Sequence, residues 1–98
     1  MNRDTLVRKL QSVGKRAFVE HFDLFRKHAS GQISRHRAID KLVSLGVSND
    51  AGAAIRVGSA KPIFKANREA VALDIVLDSP HVPLKVKNEA RRLRNGLT

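Results

Sequence analysis

Between Ser34 and Phe64 the chain carries two helix starts, a glycine turn and a proline in close succession, and what this stretch folds into limits how the rest can pack. Ser34 is placed to cap a helix whose apolar residues Ala38, Ile39, Leu42, Val43 and Leu45 recur at helical spacing. Ile33, just before that cap, supplies a hydrophobic staple onto Ala38. Gly46 ends the helix, because glycine adopts the left-handed conformation that closes many helices. Val47 and Ser48 then repeat the order of apolar residue and cap. A second helix is therefore expected from Ser48 through Asn49, Asp50 and Ala51, with the Asp50 carboxylate near the positive end of the helix dipole. Two helices joined by so short a turn must cross.

The run Leu42-Val43-Ser44-Leu45-Gly46-Val47-Ser48 resembles the centre of the helix-turn-helix families of DNA-binding proteins. Gly46 matches the turn glycine and Val47 the apolar residue after it. Ile55 matches an apolar position of the second helix that packs back on the first. The resemblance implies DNA binding by the helix that follows Ser48. Gly52 departs from the family pattern, which usually has Val or Ile there, and the positions that would face base edges, Ser48, Asn49, Ala53 and Ala54, hold mostly small residues. Close helix packing is the competing reading of this second helix, since Ala51, Gly52, Ala53 and Ala54 let another backbone approach and Arg56 stands nearly alone as a donor to bases.

At 98 residues the chain is expected to form one small basic helical domain with a single modest core. All four aromatic residues are Phe, so that core must be mostly Leu, Val, Ile and Ala. Nineteen Lys and Arg stand against nine Asp and Glu, a formal charge of +10. Such an excess destabilises a small domain by self-repulsion unless a polyanion or acidic partner offsets it, which makes nucleic acid the leading partner. No stretch is apolar enough to span a bilayer, and the first residues lack the apolar run of a signal peptide, so no membrane association and a cytoplasmic location are expected. The absence of cysteine excludes disulfides and thiolate metal sites.

From Asp4 to Ala29 the periodicity predicts one long amphipathic helix, with Val7, Leu10, Phe18, Phe22 and Phe25 near one line. Opposite them lie Arg8, Lys9, Lys15, Arg16, Arg26 and Lys27. Gly14 interrupts the line; either two helices meet there or another element comes close. The second hairpin helix is expected to run to about Gly58 or Ala60, where Lys61-Pro62 ends or kinks it, with the proline fitting the first turn of a short new helix. Asn67 is read as the cap of a mostly buried helix from Arg68 to Leu77. Pro83 is read as the first residue of a last helix with Val86, Ala90, Leu93 and Leu97 inside and Gly96 at its end. Residues 71–86 also alternate in the manner of a β-hairpin around Asp78-Ser79-Pro80-His81, which leaves a winged helix as the alternative. Against it stand Ala70, Ala72 and Asp74, poor strand formers, and Pro83 inside the second run. The fold class expected is thus all-α, a bundle of five to six short helices around the central hairpin.

A search for catalytic chemistry returns nothing that stands out. His21, His28, His36 and His81 follow no metal spacing, Asp74 and Asp78 are an ordinary solvated pair at one helical turn, and Gly52 to Gly58 lacks the Lys-Ser/Thr of a phosphate loop. No enzyme activity, cofactor or metal is expected. The residues expected to bind nucleic acid are Arg35, Arg37, Arg56, Lys61, Lys65, Lys85, Lys87, Arg91, Arg92 and Arg94, with phosphate contacts dominating and DNA favoured over RNA. The last helix, with five cations to one acid, is expected to contribute most. The alternative is a protein-interaction module, an adaptor or inhibitor whose basic face docks on an acidic protein. A homodimer is left open.

Overall fold

Almost every helix boundary in this protein has a local cause. The computed structural model describes residues 1–97, and in it the helices are α1 (Arg3–Val13), α2 (Lys15–Glu20), α3 (Phe22–Ala29), α4 (Arg35–Ser44), α5 (Asp50–Lys65), α6 (Glu69–Asp78) and α7 (Leu84–Gly96). No strand occurs among the described residues, so the wing over residues 71–86 is absent. Asn2 caps α1 by accepting the Thr5 amide at 2.8 Å, and Ser34 caps α4 by accepting that of Arg37 at 3.1 Å.

Three helices close on the same motif. After α4, Gly46 takes φ +74°, the Val47 amide donates to the Leu42 carbonyl, and the Gly46 amide donates to that of Val43. The same pair of bonds recurs around Gly31 after α3 and around Asn67 after α5. Asn67 sits at φ +56° and ends α5 rather than capping the next helix, a correction to the sequence reading. Asparagine tolerates the left-handed region well enough to serve there.

The hairpin turn also differs by one residue from expectation. Asn49, not Ser48, caps α5, its Oδ1 accepting the Gly52 amide at 2.8 Å. A Cβ on Gly52 would stand 3.0 Å from the Ser48 Cβ and 3.2 Å from that Oδ1. Gly52 therefore makes room for the incoming chain to fold over the helix start. α5 then runs unbroken through Pro62, where the sequence predicted an end. An interior proline costs about 3 kcal/mol by removing a hydrogen bond to the residue four back and crowding its carbonyl. That residue is Gly58, which is exposed, and burial of Ala60 and Ile63 on either side of the proline holds the helix in place.

α5 is the post of the bundle: α1, α3, α4 and α6 all pack on it, while α7 lies on α6 and α2. Ala53, Val57, Ala60 and Ile63 are fully buried, so the small residues serve close helix packing. Phe18, Phe22 and Phe64 form one ring cluster with centroids 5.1 to 5.7 Å apart, joining α2, α3 and α5. Leu45 and Ile55, expected inside, are instead 52% and 59% exposed. Ile55 lies on the outer stripe with Ala51 and Gly58, a side that no helix covers. Leu97 is also exposed, and Pro83 precedes α7 as its cap instead of opening it.

The single long N-terminal helix is the largest departure, because it is three helices. Gly14, at φ +90° and ψ 123°, turns the chain between α1 and α2, and His21 bends it between α2 and α3. Both causes weighed for Gly14 apply at once: two helices meet, and the Arg56 guanidinium from α5 comes so near that an added Cβ would lie 2.6 Å from its Nη1. Splitting this segment raises the helix count above the five or six expected, even though α5 absorbs the short helix assigned to Pro62.

Gly14 and Gly31 therefore provide a controlled comparison. Gly31 also has positive φ, at +85°, but nothing lies within 4 Å of its Cβ position. Gly31→Ala should cost about 1 kcal/mol for backbone strain alone, and Gly14→Ala at least about 1 kcal/mol more for displacing Arg56. Urea unfolding midpoints of the two variants measure the difference; equal losses would show that the Arg56 contact contributes nothing.

Candidate nucleic-acid interface

The ten cations named from the sequence divide among four places: Arg56, the junction of α4 with α5, α7, and the α3/α4 side of Arg37. Arg56 is the inner one. It is half-buried on α5, and its Nη1 donates to the Val13 carbonyl at the C-terminus of α1, where the helix dipole favours a cation. It borders an open cleft of about 780 Å³ whose lining includes Gly14, Lys15, Arg16, Glu20, His21, Leu45 and Val47. Its geometry ties two helices together, and one of its donors is already used for that.

The second place joins α4 to α5. Arg35, the first residue of α4, is exposed, and its Nη1 comes within 3.5 Å of the Cβ position of Gly58. Lys61 and Lys65 follow Gly58 at three and seven residues along α5, which puts both on the same exposed side. None of these three forms an ion pair among the described residues; the Arg side chains that do are Arg16, Arg26, Arg92 and Arg94. Arg37, two residues after Arg35 and so about 200° around the helix, points away from this face and toward α3.

The third place is α7, where several cations are engaged. Arg92 grips Glu89 through two hydrogen bonds, at 2.9 and 2.5 Å, which holds that carboxyl below its usual range and raises the guanidinium above its own. Arg94 donates from Nε to Asp74 Oδ1 at 3.1 Å and links α7 to α6. Arg91 reaches Asn88 at 3.3 Å, while Lys85 is exposed and Lys87 half-buried. Because α7 rests on α6 and α2, its cations do not share the α4/α5 face.

The groups weighed for metal chemistry are dispersed. Asp74 belongs to Arg94, His36 pairs with Asp40 at 3.1 Å, and the buried His28 donates from Nδ1 to the Ile33 carbonyl at 3.2 Å. Among the described residues no cluster of three or more His, Cys, Asp or Glu side chains is placed to hold an ion. Among the described residues no helix is long and apolar enough to cross a membrane. Two cations that the sequence reading left out of the site, Lys27 and Lys41, meet Arg37 along a groove between α3 and α4. The spacing of Arg37, Lys41 and Ser44 marks one side of α4, but which helix faces it is a tertiary fact.

His21 should leave a mark on the pH dependence of stability. Burial lowers its pKa below 6.5, with Glu20 opposing and Arg56 reinforcing the shift. The unfolded chain therefore binds a proton there before the folded one does, and stability rises with pH across that interval. Full stability is expected above the unfolded value of 6.5, with a loss on acidification until the lowered folded pKa is reached. His21→Gln should flatten this part of the profile in urea titrations at stepped pH; an unchanged profile would assign the effect elsewhere.

Compared with known proteins, the chain matches no family model, no curated protein and no solved structure.

Proposed function

We propose that this protein is a non-enzymatic nucleic-acid-binding module that holds the phosphate backbone of duplex DNA through Arg35, Lys61 and Lys65 and reads few or no bases. The observation that carries it is the convergence of those three cations from two helices on one exposed face, beside a glycine and with no carboxylate among the described residues paired to any of them. In a chain of charge +10, unpaired cations on one side attract a polyanion from a distance and release its counterions on contact.

Base reading has less support. The helix that the resemblance would make a recognition helix has four others packed on it, Ala53 on it is fully buried, and Asn49 already serves as a cap. A duplex is favoured over a single strand because three of the four Phe are buried and Phe64 is half-buried in the ring cluster, leaving no ring free to stack on splayed bases. The pairing of Arg92 and Arg94 with carboxylates supports giving the leading role to the α4/α5 face in place of α7, which the sequence favours.

Each phosphate neutralised on B-DNA contributes about 0.9 to the slope of log affinity against log salt. Changing Arg35, Lys61 and Lys65 together to Ala should thus lower that slope by up to about 2.7, measured by anisotropy of a labelled duplex over a salt series. The triple change of Lys87, Arg91 and Arg94 should lower it less. If the α7 changes produce the larger drop, the interface lies on α7; if neither alters binding and Arg56→Ala abolishes it for one preferred sequence, the hairpin reads DNA in the helix-turn-helix manner.

A further inference from the structure

We infer that the groove between α3 and α4 is a docking site for an acidic amphipathic helix of a partner protein, separate from the phosphate-binding face and independent of that reading. Its volume is about 510 Å³ and its lining is mostly apolar, with the half-buried Leu24 and Ile33 contributing to it. Around them stand Lys27 from α3 and Arg37 and Lys41 from α4, all exposed. The lining has one acid, Asp40, which lies 3.1 Å from His36 and offsets one of the three positive charges. None of the three cations forms an ion pair among the described residues. The groove thus presents apolar surface bordered by three cations against one acid.

That combination selects its occupant. A phosphate backbone gains nothing from a floor of Leu and Ile, and the lining contains no aromatic ring on which a base could stack. A second copy of the chain would bring another +10 to the same place. A helix with an apolar stripe flanked by carboxylates satisfies both features, its leucines covering Leu24 and Ile33 and its acids reaching the three cations. The walls have suitable length: α4 has 10 residues, about 15 Å of helix, enough to meet roughly three turns of a partner helix through positions i, i+3 or i+4, and i+7. The bond from His28 to the Ile33 carbonyl fixes the loop that carries one of the floor residues, so the groove is formed before a partner arrives.

The test uses the full chain and a fluorescent helical peptide with Leu along one stripe and Glu on its flanks. The same peptide with every Leu changed to Ser, a DNA duplex and vesicles containing an anionic phospholipid serve as the other probes. The Leu–Glu peptide should bind saturably and at least about tenfold more tightly than its Ser counterpart. Lys27→Glu with Lys41→Glu, both exposed and so expected to leave the helical dichroism intact, should weaken the peptide about tenfold or more while leaving the salt slope for the duplex nearly unchanged. Amide shifts on peptide addition should centre on Leu24, Ile33 and Lys41. Equal binding of the two peptides, no saturable binding, or loss of vesicle or duplex binding in place of peptide binding in the double variant would each overturn the proposal.

Discussion

The structure depends on the burial of α5. Its inner residues Ala53, Val57, Ala60 and Ile63 have no exposure, and each of four other helices uses part of that surface. Two alanines among the four let neighbouring backbones come close, so the helix contributes to stability through many short contacts more than through large side chains. The same burial explains how Pro62 is tolerated: the lost hydrogen bond lies near exposed Gly58, and the packed residues on either side leave the chain no other course. A helix so enclosed has little surface to offer a ligand. What remains is the stripe of Ala51, Ile55, Gly58, Lys61 and Lys65, apolar at its start and basic at its end.

The remaining charge is distributed around that post with few compensating acids. The ion pairs that do form are largely exposed and within one helix, such as Arg16 with Glu20 and Arg26 with Asp23, and pairs of this kind are typically worth between about zero and 1 kcal/mol. They offset little of the repulsion in a chain of +10. Arg94 with Asp74 differs, because it joins α7 to α6 and lies partly buried. Arg56 differs more: spent on the Val13 carbonyl, it turns a cation into a clamp between the two helices that pack most extensively on each other. Charge density along the sequence thus does not register that Arg56, Arg92 and Arg94 are engaged within the fold, nor that Arg35, Lys61 and Lys65 are adjacent in space.

Several features were legible in the sequence because their causes are local. The Ser34 cap, the Gly46 turn, the inner stripe of Val86 and Ala90 and the choice of helix over wing at residues 71–86 all follow from residue type and spacing. Misreadings came where tertiary packing decided. Nothing at His21 signals a break, since it is neither glycine nor proline, yet the chain bends there between Phe18 and Phe22, whose rings meet at 5.5 Å. Pro62 looked like a stop because its local cost is large and the burial that outweighs it belongs to other helices. Ile55 looked like core because helical spacing allowed it, but no helix lies on that side. Of the candidate cations, the division into a clamp at Arg56, a two-helix face, a partly ion-paired α7 and the α3/α4 side of Arg37 was not legible, because it depends on which helices meet.

α4 gives that division its consequence. Only Ala38 and Leu42 of this helix are fully buried, so it is a thin wall with two exposed sides. Arg35 leans over α5 on one side, and Arg37 and Lys41 border the groove with α3 on the other. Cations about 200° apart on one helix cannot converge on a single ligand, so phosphates on the α5 side and a helix in the groove would not contend for the same atoms. They would still share the field of the whole molecule. An acidic partner seated in the groove would lower the net charge that attracts a polyanion, and at about 8 Å, the screening length at physiological salt, the effect would reach across a helix about 10 Å wide only weakly. Coupling between the two sides, in this geometry, is electrostatic and fades as salt rises.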